Sequence, residues 1–362
     1  MSPSYNVALI GYGLSAKIFH IPFLEAPTFK LYGIVQRTAK PDADPQKDFP
    51  GVKIWRLSEE MLADSNVDIV IITTLPESHF ALTKAALEAG KHVVVEKPFV
   101  PASQEADVLA RIAKETGKLL TVYQNRRWDA DFLTLKKLIK DGVLGRIVEF
   151  ETHFDRHTPE NPQTWRQQAL PGVGQVYDLG THLLDQVVHL FGMPERITAF
   201  VGNQRTSTIV GGESRGGEDC FTVLLHYGDG LMATAKAACI SPESEQLRFW
   251  VRGDKGSYRK CHLDVQEDQL KAGMRPGSDT RSEFGVEPEC HYGTLTTITN
   301  GTLASSRLPT IRPTTYTEYY RVFAKALEGK GEVPVAAEDA SKVIKLIEMA
   351  KESSRTWQTL KV

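Results

Sequence analysis

Four groups of residues in this chain have types and spacings suited to chemistry. The first is Val7-Ala8-Leu9-Ile10-Gly11-Tyr12-Gly13-Leu14-Ser15-Ala16, an apolar run that ends in Gly-x-Gly-x-x-Ala and leads into a predicted helix. In that order Gly11 permits a tight turn, Gly13 lets backbone approach a pyrophosphate, and the small Ala16 lets helix and strand pack closely. Phosphates then lie at the helix N-terminus, over Leu14, Ser15 and Ala16, where N–H groups have no intrahelical partner. The second is Lys97, in Val94-Val95-Glu96-Lys97-Pro98 at the end of an apolar run. A lysine there can hydrogen-bond an alcohol or alkoxide and stabilise developing charge. Desolvated, it has a lowered pKa and can share in proton transfer. Taken alone it reads equally well as a salt-bridged surface lysine.

The third group is Asp178 and His182, at i and i+4 in Asp178-Leu179-Gly180-Thr181-His182. On one helix they share a face. The imidazole can take or give a hydroxyl proton near neutral pH, while Asp178 orients it or contacts substrate hydroxyls. An isolated pair of this kind is more simply an N-terminal helix aspartate beside a satisfied histidine. The fourth is Gln36-Arg37-Thr38 at the end of the second predicted strand. An NAD site carries Asp or Glu about 20 residues beyond the glycines, on the ribose 2′-OH. Here no carboxylate stands at the strand end, and the next acids are Asp42 and Asp44. Arg37 and Thr38 suit a 2′-phosphate, which arginine recognises well; the plain alternative is a solvated loop arginine. The pattern favours NADP(H) over NAD. A metal site is not expected: His153 and His157 flank Asp155 on a strand leading into a Pro-containing loop, and no Glu or Cys set completes it.

The elements that must position these groups are predicted from periodicity. Strands at 7–10, 31–35, 69–73, 92–96 and 119–123 alternate with helices at 81–89 and 102–116, the latter two ending at Gly90 and Gly117. That is the pattern of a parallel α/β domain. Helices at 132–140 and 177–191 follow, with strands at 148–155, 197–201, 219–226, 231–240 and 247–253. Strands in succession without helices between them indicate an antiparallel sheet. Residues 203–217 and 264–294 read as loops or irregular inserts, and 316–328 and 337–356 as closing helices. The chain of 362 residues is expected to form two domains, 1–124 for the dinucleotide and 125–362 for substrate binding and oligomerisation.

Composition excludes several function classes. A net charge of −2 gives no electrostatic reason for nucleic acid or an anionic membrane as partner. No apolar run approaches the ~20 residues that span a bilayer. The first six residues carry no basic region followed by an apolar core, so no signal peptide is expected. The four cysteines, Cys220, Cys239, Cys261 and Cys290, form no Cys-x-x-Cys pair and suit a reducing, cytoplasmic location.

Taken together, Gly-x-Gly-x-x-Ala, Glu96-Lys97-Pro98, Asn125-Arg126-Arg127-Trp128 and Asp178 with His182 resemble the Gfo/Idh/MocA oxidoreductases, the glucose-fructose oxidoreductase and inositol dehydrogenase family. The resemblance covers nearly the whole chain. It is strongest to the bacterial NADP-dependent scyllo-inositol dehydrogenase-like branch, through Gly11 to Pro22, Asn125 to Asp129 and His153 to Arg156. It implies an α/β fold: an N-terminal Rossmann domain and a C-terminal α+β domain with a largely antiparallel open sheet. It implies Lys97, Asp178 and His182 as the catalytic set, and a cis peptide at Lys97-Pro98. It places Thr74, Pro76 and His79 beside adenosine and nicotinamide riboside, Glu96 on the nicotinamide ribose, and Asn125 near the cofactor. Arg126, Trp165 and Arg166 become candidate substrate-pocket residues. The implied reaction is hydride exchange between NADP(H) and an inositol, sugar or polyol, in a homodimer or homotetramer. Reduction of a dihydrodiol- or biliverdin-type substrate, or a non-catalytic NADP-binding regulator, remains open from sequence.

Overall fold

The computed structural model describes residues 4–24, 28–40, 43–160, 170–206, 208–209, 217–277 and 283–362. Contacts divide the chain into two compact units: Met1–Asn125 with Glu267–Phe284 and Thr314–Ser341, and Arg126–Gln266 with Gly285–Pro313 and Lys342–Val362.

In the first unit, strands β1 (Tyr5–Ile10), β2 (Phe29–Val35), β3 (Lys53–Trp55), β4 (Ile69–Ile72), β5 (His92–Val95) and β6 (Leu120–Val122) form a parallel sheet in the order β3-β2-β1-β4-β5-β6. β4 is buried at every position and β5 at all but His92, as strands covered on both faces are. Chain order reverses between β1 and β4, the switch point beyond whose strand ends ligands of such sheets bind. The helices His79–Glu88 and Ser103–Thr116 lie where expected, and the second ends on Gly117 in a left-handed conformation. β3 is not among the predicted strands; three residues are too few to show a period.

The predicted helix after the glycines is irregular. Residues 14–23 are helical, but Ala16–His20 form a π turn and Ile21–Phe23 a 3-10 turn. Pro22 has no N–H to donate to the preceding turn, so a regular α ladder cannot continue through it. The later segments of this unit complete its core. The Thr121 hydroxyl donates to Val335 O (2.9 Å), and the Val122 amide donates to the same carbonyl (3.3 Å). Helix Thr317–Leu327 buries Tyr319, Tyr320 and Phe323 against Phe23, Phe29 and Tyr123.

The second unit is built on a sheet that has ten strands among the described residues: β7 (Ile147–His153), β8 (Arg196–Asn203), β9 (Thr208–Ile209), β10 (Cys220–His226), β11 (Met232–Ala238), β12 (Leu247–Gly253), β13 (Gly256–Cys261), β14 (Gly293–Thr299), β15 (Thr302–Leu308) and β16 (Leu360–Lys361). The order is β15-β14-β13-β12-β7-β11-β10-β8-β16, with β9 on β8. β7 and β11 run parallel and the other pairs antiparallel. The inward face, with Val223, Leu225, Ala233, Ala235, Phe249 and Val251, is buried, and helix Gly180–Phe191 packs on β11.

Three predicted stretches need correction. Residues 203–217 are not all irregular, since they include the two-residue strand β9. Residues 264–294 are not all irregular: Gln266–Lys271 is a helix and Glu289–His291 a 3-10 turn. The single helix predicted over 177–191 is two, Gln175–Asp178 and Gly180–Phe191, meeting at Leu179 (φ −103°). β13, β14 and β15 are not among the predicted strands; β15 is exposed along nearly its whole length, and its residues carry no apolar alternation. Among the described helices, none is long and apolar enough to cross a membrane.

Candidate active site

In the first unit the site grows from the ends of β1, β4 and β5. Gly11, just past β1, has φ +100°, and its amide donates to Val35 O at 3.0 Å. A Cβ on it would lie 3.0 Å from both the carbonyl and the hydroxyl oxygen of Thr73. Thr73 in turn donates its hydroxyl to Ile10 O (3.1 Å) and Gly11 O (3.2 Å). Gly13 differs: a Cβ there would meet nothing within 4 Å. Gly13 and Leu14 are exposed, Ser15 is half-buried and Ala16 is fully buried. The open space in front of Gly13, at the switch point, fits a pyrophosphate drawn up to the backbone.

Glu96 and Lys97 follow β5, and the Lys97–Pro98 peptide is cis. One Glu96 oxygen accepts from the Ser15 hydroxyl and from His20 Nε2 (3.0 Å), while the other accepts the Lys97 amide (3.0 Å). His20 Nδ1 meets the Tyr320 hydroxyl at 2.6 Å. Burial alone would raise the Glu96 carboxyl, but hydrogen bonds and charge from His20, with the Ser15 bond, outweigh it and hold the group below its ordinary value. Glu96 thus ties the glycine turn to the backbone of Lys97. His20 and Tyr320 were missed in the sequence; the paired residues stand 300 positions apart.

His79 is fully buried. Its Nδ1 faces Pro98 O (2.9 Å) and Phe99 O (3.2 Å), and its Nε2 faces Thr74 O (3.1 Å). Burial, outweighing those carbonyls, lowers its pKa. The ring therefore braces the loop after β4 against the cis-proline loop. Thr74 pairs its hydroxyl with Ser78 (2.7 Å), and Pro76 is buried at the start of a 3-10 turn. Gln36 is buried, with its Nε2 donating to Ala43 O (2.6 Å), while Arg37 and Thr38 are exposed.

In the second unit, Asp178 ends its short helix half-buried, and His182 is buried in the first turn of the next, its amide donating to Leu179 O (3.0 Å). The i, i+4 spacing thus spans a helix break, not one continuous helix. The helix carrying His182 is gripped from its neighbours. Arg127 holds Asp185 with two parallel bonds, 2.8 and 2.7 Å. Gln186 Nε2 donates to Arg126 O (3.0 Å), and its Oε1 accepts from Arg248 (2.9 Å). Arg248, 1% exposed, also reaches Asp131 (3.0 Å) and the Thr152 hydroxyl (2.9 Å). A bulge in β12 at Arg248 turns its side chain inward. Arg126 pairs with Asp129 (3.2 Å) and lies over the Phe154 ring (4.9 Å); Asn125, which belongs to the first unit, is buried. His153 sits between Glu151 (2.9 Å) and Asp155 (3.2 Å). Trp165 and Arg166 lie outside the described residues.

Comparison with known proteins agrees with this architecture. Residues 5–124 match the family model described as "Oxidoreductase family, NAD-binding Rossmann fold", and residues 136–362 the "Oxidoreductase family, C-terminal alpha/beta domain". The chain belongs to the Gfo/Idh/MocA oxidoreductase family. Among its relatives in that family is the scyllo-inositol 2-dehydrogenase (NADP(+)) IolW of Bacillus subtilis, 38% identical over 98% of this chain and 95% of the relative. An uncharacterized oxidoreductase, YdgJ, of Escherichia coli is 39% identical over 99% of both. A solved structure of a putative oxidoreductase, yvaA, from Bacillus subtilis has a TM-score of 0.92 at 36% identity, covering 100% of this chain and 99% of that one. The α/β fold with a parallel nucleotide sheet and a second, largely antiparallel sheet is shared with these Gfo/Idh/MocA structures.

Proposed function

We propose that the protein is an NADP(H)-dependent dehydrogenase or reductase acting at a CH–OH or C=O carbon of an inositol, sugar or polyol. The observation that carries this reading is Lys97 on a fixed backbone at the end of β5, tied through Glu96 to Ser15 of the phosphate turn. Bound nicotinamide supplies the hydride donor or acceptor. Gly11, Gly13, Leu14, Ser15 and Ala16 hold its pyrophosphate; Gln36, Arg37 and Thr38 hold the adenosine ribose and its 2′-phosphate. Thr74, Pro76, Glu96, Pro98 and Asn125 shape the nicotinamide side, and His79 positions two of those loops. Lys97 polarises the substrate oxygen, His182 takes or gives its proton, and Asp178 supports the imidazole. Arg126, Trp165 and Arg166 line the substrate. The name of the Bacillus relative supports both the cofactor and the substrate class. Residues 1–124 hold the cofactor, and 125–362 supply the substrate face and the contacts of a homodimer or homotetramer in the cytoplasm. Exposed Phe200 and Met232 on the second sheet suit such contacts, which light scattering tests.

The test is NADPH formation from NADP across a panel of inositols, aldoses and polyols, with Lys97→Met beside the wild type. We expect Lys97→Met to lose ~10²–10⁴-fold in turnover while still binding NADPH. Tight NADPH binding with no turnover on any substrate would favour a regulator.

A further inference from the structure

A cavity of about 330 Å³ opens beyond the ends of β2 and β3, lined by Gln36, Ala39, Lys40, Asp44, Ile54 and Arg56 among others. Two of these side chains are cations, and among the described residues neither Lys40 nor Arg56 is ion-paired. The acid on the wall, Asp44, already accepts the Gln46 amide (3.0 Å) at the start of helix Pro45–Asp48. The lining thus sets two cations against one carboxylate, a net positive charge, and it lies where β2 ends without a carboxylate.

Arg56 is exposed and is tethered by one bond to the backbone. Its Nη1 donates to Gln36 O at 3.0 Å. Gln36 is fixed in turn by its amide on Trp55 O (3.0 Å) and its side chain on Ala43 O (2.6 Å). A guanidinium has five N–H donors in one plane. One is spent on Gln36, and the others can make two-point contact with a phosphate. The carbonyl that anchors Arg56 belongs to the residue just before Arg37. A phosphomonoester on an adenosine ribose at the end of β2 is the anion whose size and charge suit this wall.

We propose that Arg56, assisted by Lys40, forms a second wall of the 2′-phosphate site begun by Arg37, and so discriminates NADP from NAD. The proposal rests on the NADP(H) reading above. Arg56 follows β3, an element with no visible period, so the residues alone did not point to it.

The test is fluorescence titration of wild type, Arg37→Gln, Arg56→Gln and Arg56→Lys with NADPH and NADH, and displacement of NADPH by 2′,5′-ADP and AMP. Arg56→Gln is expected to weaken NADPH and 2′,5′-ADP by ~10-fold or more, the usual range for a lost charged hydrogen bond. NADH and AMP affinities should stay near wild type, and Arg56→Lys should recover only part of the loss. Equal weakening of NADPH and NADH would overturn the proposal, since it marks a general disturbance of the β2 end. So would unchanged NADPH binding in Arg56→Gln. If Arg37→Gln loses the preference and Arg56→Gln keeps it, the cofactor reading stands and the second wall falls. A wild type that binds NADH as tightly as NADPH removes the cofactor reading itself.

Discussion

The two glycines of the turn after β1 do different work, and substitution separates them. Gly11 combines φ +100° with a Cβ position 3.0 Å from Thr73 oxygens. Gly11→Ala should therefore destabilise the protein without cofactor by about 1–3 kcal/mol. Gly13 has free space in front of it, so Gly13→Ala should change that stability by no more than about 0.5 kcal/mol. In the site proposed above its methyl would nonetheless stand in the way of the pyrophosphate, and NADPH affinity should fall. Thermal unfolding of both variants with and without NADPH reads out the difference. The idea fails if Gly13→Ala still gains the wild-type stabilisation from NADPH. The need for small residues at both positions was legible in the sequence, but the reason at Gly11 was only half so. The turn conformation could be inferred; the closeness of Thr73, from a strand far along the chain, could not.

Elements place these residues through contacts that periodicity does not record. The π and 3-10 turns after the glycines bring Ser15 and His20 onto Glu96 at the end of β5. That link has a pH consequence. The folded Glu96 carboxyl lies below its ordinary value of 4.5, so its contribution is present above that value and is lost as pH falls through the folded one. His20→Gln removes a bond that favours the charged form. The folded pKa should rise, and acid unfolding should begin at higher pH than in the wild type. Circular dichroism from pH 7 to pH 3 checks this; an unmoved acid midpoint would show that His20 contributes nothing to the ionised state. The helix break at Leu179 and the bulge at Arg248 belong to the same scale. Alternation along β12 assigns Phe249 and Val251 to the core and so Arg248 to solvent. One extra residue in the strand reverses that assignment and delivers Arg248 to Gln186, one turn beyond His182.

At the scale of the whole molecule, the first unit is not one stretch of chain. Its core includes residues from Thr314–Ser341, whose Tyr319, Tyr320 and Phe323 cover Phe29 and Tyr123 and whose Val335 pairs with β6. A fragment of residues 1–124 lacks that cover. It should expose a large apolar surface and unfold or aggregate, whereas adding 314–341 through a linker should restore cooperative unfolding. Circular dichroism and thermal melts of the two fragments check the point, and a stable 1–124 fragment would refute it.

The sequence by itself determined every parallel strand but β3, the glycine turn and the ends of two helices. Each is a local pattern: an apolar run, a glycine forced by a turn, a stop at Gly90 or Gly117. Resemblance carried the family and the candidate set of Lys97, Asp178 and His182. Only the tertiary structure decided that Glu96 is spoken for by Ser15 and His20, that His79 spends its ring on backbone carbonyls, that Arg248 faces inward, and that Arg56 rests on Gln36. Those contacts join residues distant in the chain, and they exist only once strand order and register are set. A one-residue change of register would undo them without altering the local pattern that predicted the strands.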